Sequence, residues 1–309
     1  MYINPERTER VLSLGLLCMV AAFVLKLFGI PWTYAFFGLW SLAVLIYWRG
    51  ARSKVSTVGK AVLVTGCDTG IGHSLALRLD QLGFRVFACC AYADERSAGT
   101  QALRRNGSQR LHVLQLDFND DLQILEVYVR VTRLLARGEK LWALVNCEGT
   151  CWTHDAGQCL NINMYEKLCD YILLRTATIV RMFLPLVMHA RGRIVTIGCT
   201  YRELSSWRED QHYLVSNSMF EDFDKCLRKQ LKHRGVNVCR IELLSPNTSE
   251  SHQDHWTPTW GKDITRSGCI FDQVVRNRGE TDVSEVVEAH AKAVTDVFPL
   301  NRYFSSIPC

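Results

Sequence analysis

Apolar positions are spread along this chain in two different ways. Over residues 11–48, VLSLGLLCMVAAFVLKLFGIPWTYAFFGLWSLAVLIYW, they run together, and Lys26 is the one charged side chain. That run is long enough for two membrane crossings, or for one tilted crossing with an interfacial arm. Gly29, Ile30 and Pro31 interrupt it and predict a tight hairpin. Lys26 stands close enough to the break to snorkel to an interface, and Trp32, Tyr34, Tyr47 and Trp48 are placed like interfacial aromatics. Arg7 and Arg10 precede the run and Arg49, Arg52 and Lys54 follow it, which predicts both ends on the cytosolic side. A cleaved signal peptide fits poorly, because the run is too long and no small-residue cleavage site follows it.

Beyond GARSKVSTVG, which reads as a linker, short apolar runs alternate with helical periodicity. AVLVTG, FRVFACC, LHVLQLD, WALVNCEG, GRIVTIG and VNVCRIELLSP each read as a buried strand. HSLALRLDQLG, His73 to Gly83, sets leucines at helical spacing and ends in glycine. Strand and helix in alternation predict a doubly wound, Rossmann-like α/β fold with a parallel sheet. The expected organisation is a flank over 1–10, a membrane anchor over 11–48, a linker over 49–57 and a Rossmann-like domain over 58–309.

Composition narrows the function classes. Of 309 residues, 48% are apolar and 22% charged, so the chain can bury a core and disorder is excluded as its main character. The net charge of +5 is spread along the chain, with no basic run of the kind a nucleic-acid groove needs. The 13 cysteines are odd in number and form no paired CxxC pattern, which argues against a zinc site and against a disulfide framework. Cys18, Cys89 and Cys239 lie in apolar runs and read as small buried hydrophobes of a protein facing a reducing compartment.

TGCDTGIG, Thr65 to Gly72, follows the first strand and opens the first helix of this alternation. There Gly66 can make the sharp turn, Gly70 can let a pyrophosphate approach the backbone, and Gly72 can let helix and sheet come close. The amides around Ile71, at the helix N-terminus, then favour phosphate charge. The cofactor choice is weakly marked. Cys90 and Ala91 stand where an acid would meet a free 2′-hydroxyl or a base a 2′-phosphate. The absence of Arg or Lys leans to NAD over NADP.

With these motifs the chain resembles the short-chain dehydrogenase/reductase family over about residues 58–300. The glycine loop is similar to that family's TGxxxGxG, Asp117 in LQLD to its adenine-contacting aspartate, and Asn146 to Gly149 (NCEG) to its NNAG. KAVLVTGCDTGIGHSLALRLDQLGFRVFA and MFLPLV…GRIVTIG resemble the subgroup of retinol dehydrogenases and 17β-hydroxysteroid dehydrogenase type 2. The resemblance implies an NAD- or NADP-dependent oxidoreductase of lipophilic alcohols or ketones, of steroid or retinoid class. It also implies an endoplasmic-reticulum membrane with the Rossmann domain facing the cytosol. A homo-oligomer is compatible with it.

The family works with Asn, Ser, Tyr and Lys together. In HYLVSN, His212 to Asn217, Tyr213 matches the tyrosine, but the lysine position holds Asn217. Cys199 by motif, or Thr200 by its distance to Tyr213, stands for the serine, and the asparagine falls at about Ile172. Ser251 keeps a hydroxyl where a threonine would bind the carboxamide, whereas Glu148 puts a carboxylate near the cofactor. Without the cation, Tyr213 reverts toward a tyrosine pKa of about 10, so roughly one molecule in a thousand carries tyrosinate at pH 7. Two readings stay open: an oxidoreductase with altered catalysis, and a pseudoenzyme that binds dinucleotide or partner proteins without turnover.

Overall fold

The structure is a computed structural model that describes residues 5–27, 29, 31–93, 97–118, 120–147, 166, 169–200, 211–244 and 283–306. The chain forms two units, one of residues 1–56 with 295–301 and one of residues 57–294 with 302–309.

In the first unit α1 (Pro5–Lys26) and α2 (Trp32–Arg52) pack on each other, and Gly29 between them takes φ +84°. A Cβ at Gly15 would lie 3.3 Å from the Trp40 indole nitrogen, so the glycine makes room for that ring. Among the described residues, one helix, over Thr8–Lys26, is long and apolar enough to cross a membrane. Helix α2 continues past Trp48 to Arg52, whose guanidinium lies over the Trp48 ring. Just beyond, Val55 donates its amide to Thr295, Val297 donates to Ser53, and Lys54 pairs with the Asp296 carboxylate. Arg10 donates to the Pro299 carbonyl in the same unit.

The second unit is built on a seven-stranded parallel sheet: β1 (Lys60–Val64), β2 (Arg85–Cys90), β3 (Leu111–Gln115), β4 (Lys140–Asn146), β5 (Arg193–Thr200), β6 (Asn237–Leu244) and β7 (Arg302–Ser306). Their order is β3-β2-β1-β4-β5-β6-β7. The six apolar runs read from the sequence are β1 to β6. The seventh strand, RYFSS, lacks such a run and forms by pairing with β6 from Arg240–Arg302 to Leu244–Ser306.

Helices α3 (Gly70–Gln81), α4 (Ala98–Asn106), α5 (Asp121–Leu134), α6 (Arg175–Ala190), α7 (Gln211–Leu231) and α8 (Ser284–Thr295) complete the alternation. Helix α5 shows the local logic. Asp120 caps it by accepting from the Leu122 and Gln123 amides, and Ile124, Val127 and Val131 form its buried face. These pack with Leu63, Phe87, Leu144, Ile179 and Phe183 in one core. Cys89 and Cys239 are buried as expected, whereas Cys18 is half-buried. The eight cysteines whose side chains are described are all free thiols.

Two arginines lie inside the sheet. Arg193 stacks on Trp142, 4.6 Å from ring to guanidinium, and donates to the Ala293 carbonyl. Arg240 pairs with Asp224 of α7 at 3.0 Å and with Glu242 at 2.9 Å, and all three are buried. Burial works against the Arg240 cation, but Glu242 and Asp224 hold its pKa above the usual value. Gly198 leaves the space this guanidinium fills, since a Cβ there would lie 2.0 Å from it.

Candidate functional site

The sheet order reverses between β1 and β4, because β1 goes on to β2 on one side while β4 starts the other. In doubly wound folds the ligand crevice opens there, beyond the carboxyl ends of the strands. The turn from β1 into α3 occupies this point. Gly66 takes φ +66° and Gly70 φ +63°, left-handed conformations that an L side chain adopts only with strain. A Cβ at Gly72 would lie 2.2 Å from the Gly66 carbonyl oxygen, so only glycine lets α3 start directly against the turn. Thr69 gives α3 no side-chain cap. The first-turn amides, Ile71 included, sit at the end of a helix that favours negative charge. Turn and helix start thus fit a dinucleotide pyrophosphate. Burial pulls the pKa of His73, in the same first turn, below the usual imidazole value, so this side chain adds no cation at pH 7.

Two further groups hold the crevice. The first is a buried cluster joining β1, β4 and α6: Thr65 donates to Asn146 at 2.7 Å, Asn146 donates to Thr176 at 3.1 Å, and the Cys147 amide donates back to Thr65 at 3.2 Å. It locks the carboxyl ends of β1 and β4 in register. The second is Asp68, whose carboxylate accepts from the Ala91 amide at 2.8 Å and the Tyr92 amide at 3.0 Å, just past β2. Cys67 beside it is fully buried. Burial first, then Cys90, Cys89, Cys147 and Asp68, raise its thiol well above the usual range, so it stays protonated.

Asp117 lies just after β3, at the same sheet edge, and donates its amide to Gln123 at 2.9 Å. Cys199 and Thr200 end β5, and their backbones pair with Leu243 and Leu244. The backbone of Ile172 runs in a π-helical turn, Cys169–Leu174, that leads into α6; such turns are frequent at functional sites. Tyr213 and Asn217 lie four positions apart in α7, whose C-terminal half is tied to the sheet by Asp224. Thr196 of β5 donates to Asp224 at 2.8 Å. Burial raises the Asp224 pKa. Glu148, Gly149 and Ser251 lie outside the described residues, as do the side chains of Cys199, Thr200, Tyr213 and Asn217.

Sequence reasoning passed over Thr65, Thr176 and Asp68. The signal for Asp68 was present in TGCDTGIG, as an acid inside a phosphate-type loop. Thr176 carries no motif at all. Its role appears only when α6 comes to rest against β4.

The chain is similar to known proteins in sequence and in fold. The chain is 31% identical over 265 residues to mitochondrial D-beta-hydroxybutyrate dehydrogenase of Rattus norvegicus, covering 79% of this chain and 76% of that protein. It is 31% identical over 262 residues to estradiol 17-beta-dehydrogenase 2 of the same species, covering 80% and 68%. To retinol dehydrogenase 7 of Mus musculus it is 29% identical over 290 residues, covering 88% of each. A dehydrogenase/reductase from Sinorhizobium meliloti 1021 shares the fold with TM-score 0.59 at 21% identity, over 82% of this chain and 94% of that one. A metagenomic short-chain oxidoreductase in complex with NADP does so with TM-score 0.59 at 17% identity, over 82% and 100%. The family model described as short chain dehydrogenase matches residues 60–254, a span that takes in the glycine turn, the Asn146 cluster and α7; the chain belongs to the short-chain dehydrogenase family.

Proposed function

We propose that this chain is a membrane-anchored oxidoreductase that uses a nicotinamide dinucleotide, NAD by preference, on lipophilic alcohols and carbonyls, and that it favours carbonyl reduction. The observation that carries the reading is the intact crevice: Gly66 and Gly70 in left-handed conformations, Gly72 against the turn, and the Thr65–Asn146–Thr176 cluster fixing two strand ends. Two of the three named relatives carry estradiol and retinol in their names, which supports a lipophilic substrate of steroid or retinoid class. The apolar helix over Thr8–Lys26 supports anchoring. In this reading the membrane is the endoplasmic reticulum and the Rossmann-like domain faces the cytosol.

When bound, the nicotinamide supplies or takes up a hydride. The proton must then come from this chain. Tyr213 is the donor in this reading, and Thr200 or Cys199 orients the substrate oxygen. A neutral phenol suffices to protonate a nascent alkoxide, whereas alcohol oxidation needs tyrosinate, which is scarce at a pKa of about 10. Asn217 can donate a hydrogen bond to the ribose but supplies no charge.

The residue at 217 also favours a second reading, a pseudoenzyme that binds dinucleotide or partner proteins without turnover. One experiment separates them. The full chain in detergent is assayed with NADH on steroid and retinoid carbonyls and in the reverse direction, as wild type and as Asn217→Lys. The expected result is slow reduction by the wild type and a gain in oxidation of about 10-fold or more for the variant. NADH binding without turnover in either protein would discard the oxidoreductase reading in favour of the pseudoenzyme.

A further inference from the structure

We infer that Asp68 sets the choice between the two nicotinamide dinucleotides, by holding its carboxylate where a 2′-phosphate would have to bind. The inference rests on the reading of the glycine turn as a dinucleotide site.

In this fold the adenosine ribose meets the end of the second strand, about 20 residues past the glycine turn, where an acid accepts the free 2′-hydroxyl. Strand β2 ends here at Cys90 and runs into Ala91, so the strand end itself offers no such side chain. The acid arrives instead from the glycine turn. Asp68 Oδ2 lies 2.8 Å from the Ala91 nitrogen and Oδ1 lies 3.0 Å from the Tyr92 nitrogen. Successive amides in a turn form a natural anion cradle, and an internal carboxylate fills this one.

The arrangement is held from several sides. Helix α4 packs on the turn so closely that a Cβ at Gly99 would lie 1.8 Å from the Asp68 carbonyl oxygen. Gln115 at the end of β3 donates to the Ala91 carbonyl at 2.6 Å, and Arg104 donates to the Ala93 carbonyl at 3.3 Å. A 2′-phosphate brought here meets a fixed negative charge, and the two amides that could cradle it are already engaged. A 2′-hydroxyl carries no charge and escapes that repulsion.

The test is a pair of titrations of the full chain in detergent, following tryptophan quenching by NADH and by NADPH, for wild type and Asp68→Asn. The wild type should prefer NADH by on the order of 100-fold, and the neutral variant should lose at least about 10-fold of that ratio. Competition by ADP against 2′,5′-ADP on the wild type reads the same preference should the variant not fold; ADP should win by a similar factor. Equal affinity for both dinucleotides, or a ratio untouched in a folded Asp68→Asn protein, overturns the role of Asp68 and leaves the cofactor site standing. Binding of neither dinucleotide overturns the site and this inference with it.

Discussion

His290 is a built-in acid sensitivity of the fold. It sits in α8, fully buried, with Nδ1 2.8 Å from the Val286 carbonyl oxygen. A carbonyl only accepts, so Nδ1 carries the hydrogen and Nε2 is bare. Among the described residues Nε2 has no hydrogen-bond partner. Burial pulls the imidazole down from 6.5 to about 4, against the smaller opposing effect of the Val286 bond. The folded pKa is depressed, so the unfolded chain binds the extra proton first. The stability linked to this group is whole above pH 6.5 and is lost as pH falls toward 4. The loss amounts to about 2 kcal/mol by pH 5 and about 3 kcal/mol by pH 4. Urea unfolding of the full chain at constant detergent, followed by tryptophan emission from about pH 8 to pH 4, measures it against His290→Leu. Near neutrality the two proteins should differ little. As the solution is acidified the leucine variant should pull ahead by about 3 kcal/mol. Parallel pH profiles would refute the reasoning, because then protonation of His290 is not what acid exploits.

Two further outcomes follow from packing and charge. Gly72→Ala puts a Cβ 2.2 Å from the Gly66 oxygen and 3.0 Å from the Thr65 oxygen, both backbone. It should cost about 1–3 kcal/mol in urea unfolding and weaken NADH binding by about 10-fold or more. Gly38→Ala, which meets nothing within 4 Å, is the control, and equal behaviour of the two variants would contradict the close approach. Asp224→Ala leaves Arg240 buried with one acid fewer and should destabilise by about 3–5 kcal/mol, while Asp224→Leu with Arg240→Met should recover most of that. A loss under about 1 kcal/mol for the single variant would mean that the pair does not hold α7 to the sheet.

Much of the fold was legible in the sequence because β1, β2, β4, β5 and β6 lie inside the sheet and are largely buried, and because the edge strand β3 still carries a mainly apolar run. The seventh strand was not, because RYFSS lies at the sheet edge and owes its conformation to β6. The arginines of GRIVTIG and VNVCRIELL are silent in the sequence. A charge within a strand pattern normally marks a solvated face, and only the packing of Trp142 under Arg193 and of Asp224 against Arg240 turns it inward. The sharp turn at Gly66 and the close contact at Gly72 were readable, since positive φ and close approach are demands that only glycine meets. An acid or a base that would mark the cofactor was sought at Cys90 and Ala91, where the second strand ends. The carboxylate that reaches this strand end is that of Asp68, which is adjacent in space and distant along the chain.

The pairing of Ser53–Val55 with Thr295–Val297 bears on how the protein can be shortened. A soluble version would naturally be made by deleting the apolar N-terminus. A cut after Val55 also removes the amide that donates to Thr295, the carbonyl that accepts from Val297, the Lys54 cation on Asp296 and the Arg10 contact to Pro299. Thr295–Asn301, between the end of α8 and the start of β7, would then lose these contacts, with the exposed Val297 and Phe298 in it. The leader is stitched to the far end of the chain, and a well-behaved truncation would start before Ser53 or redesign residues 295–301.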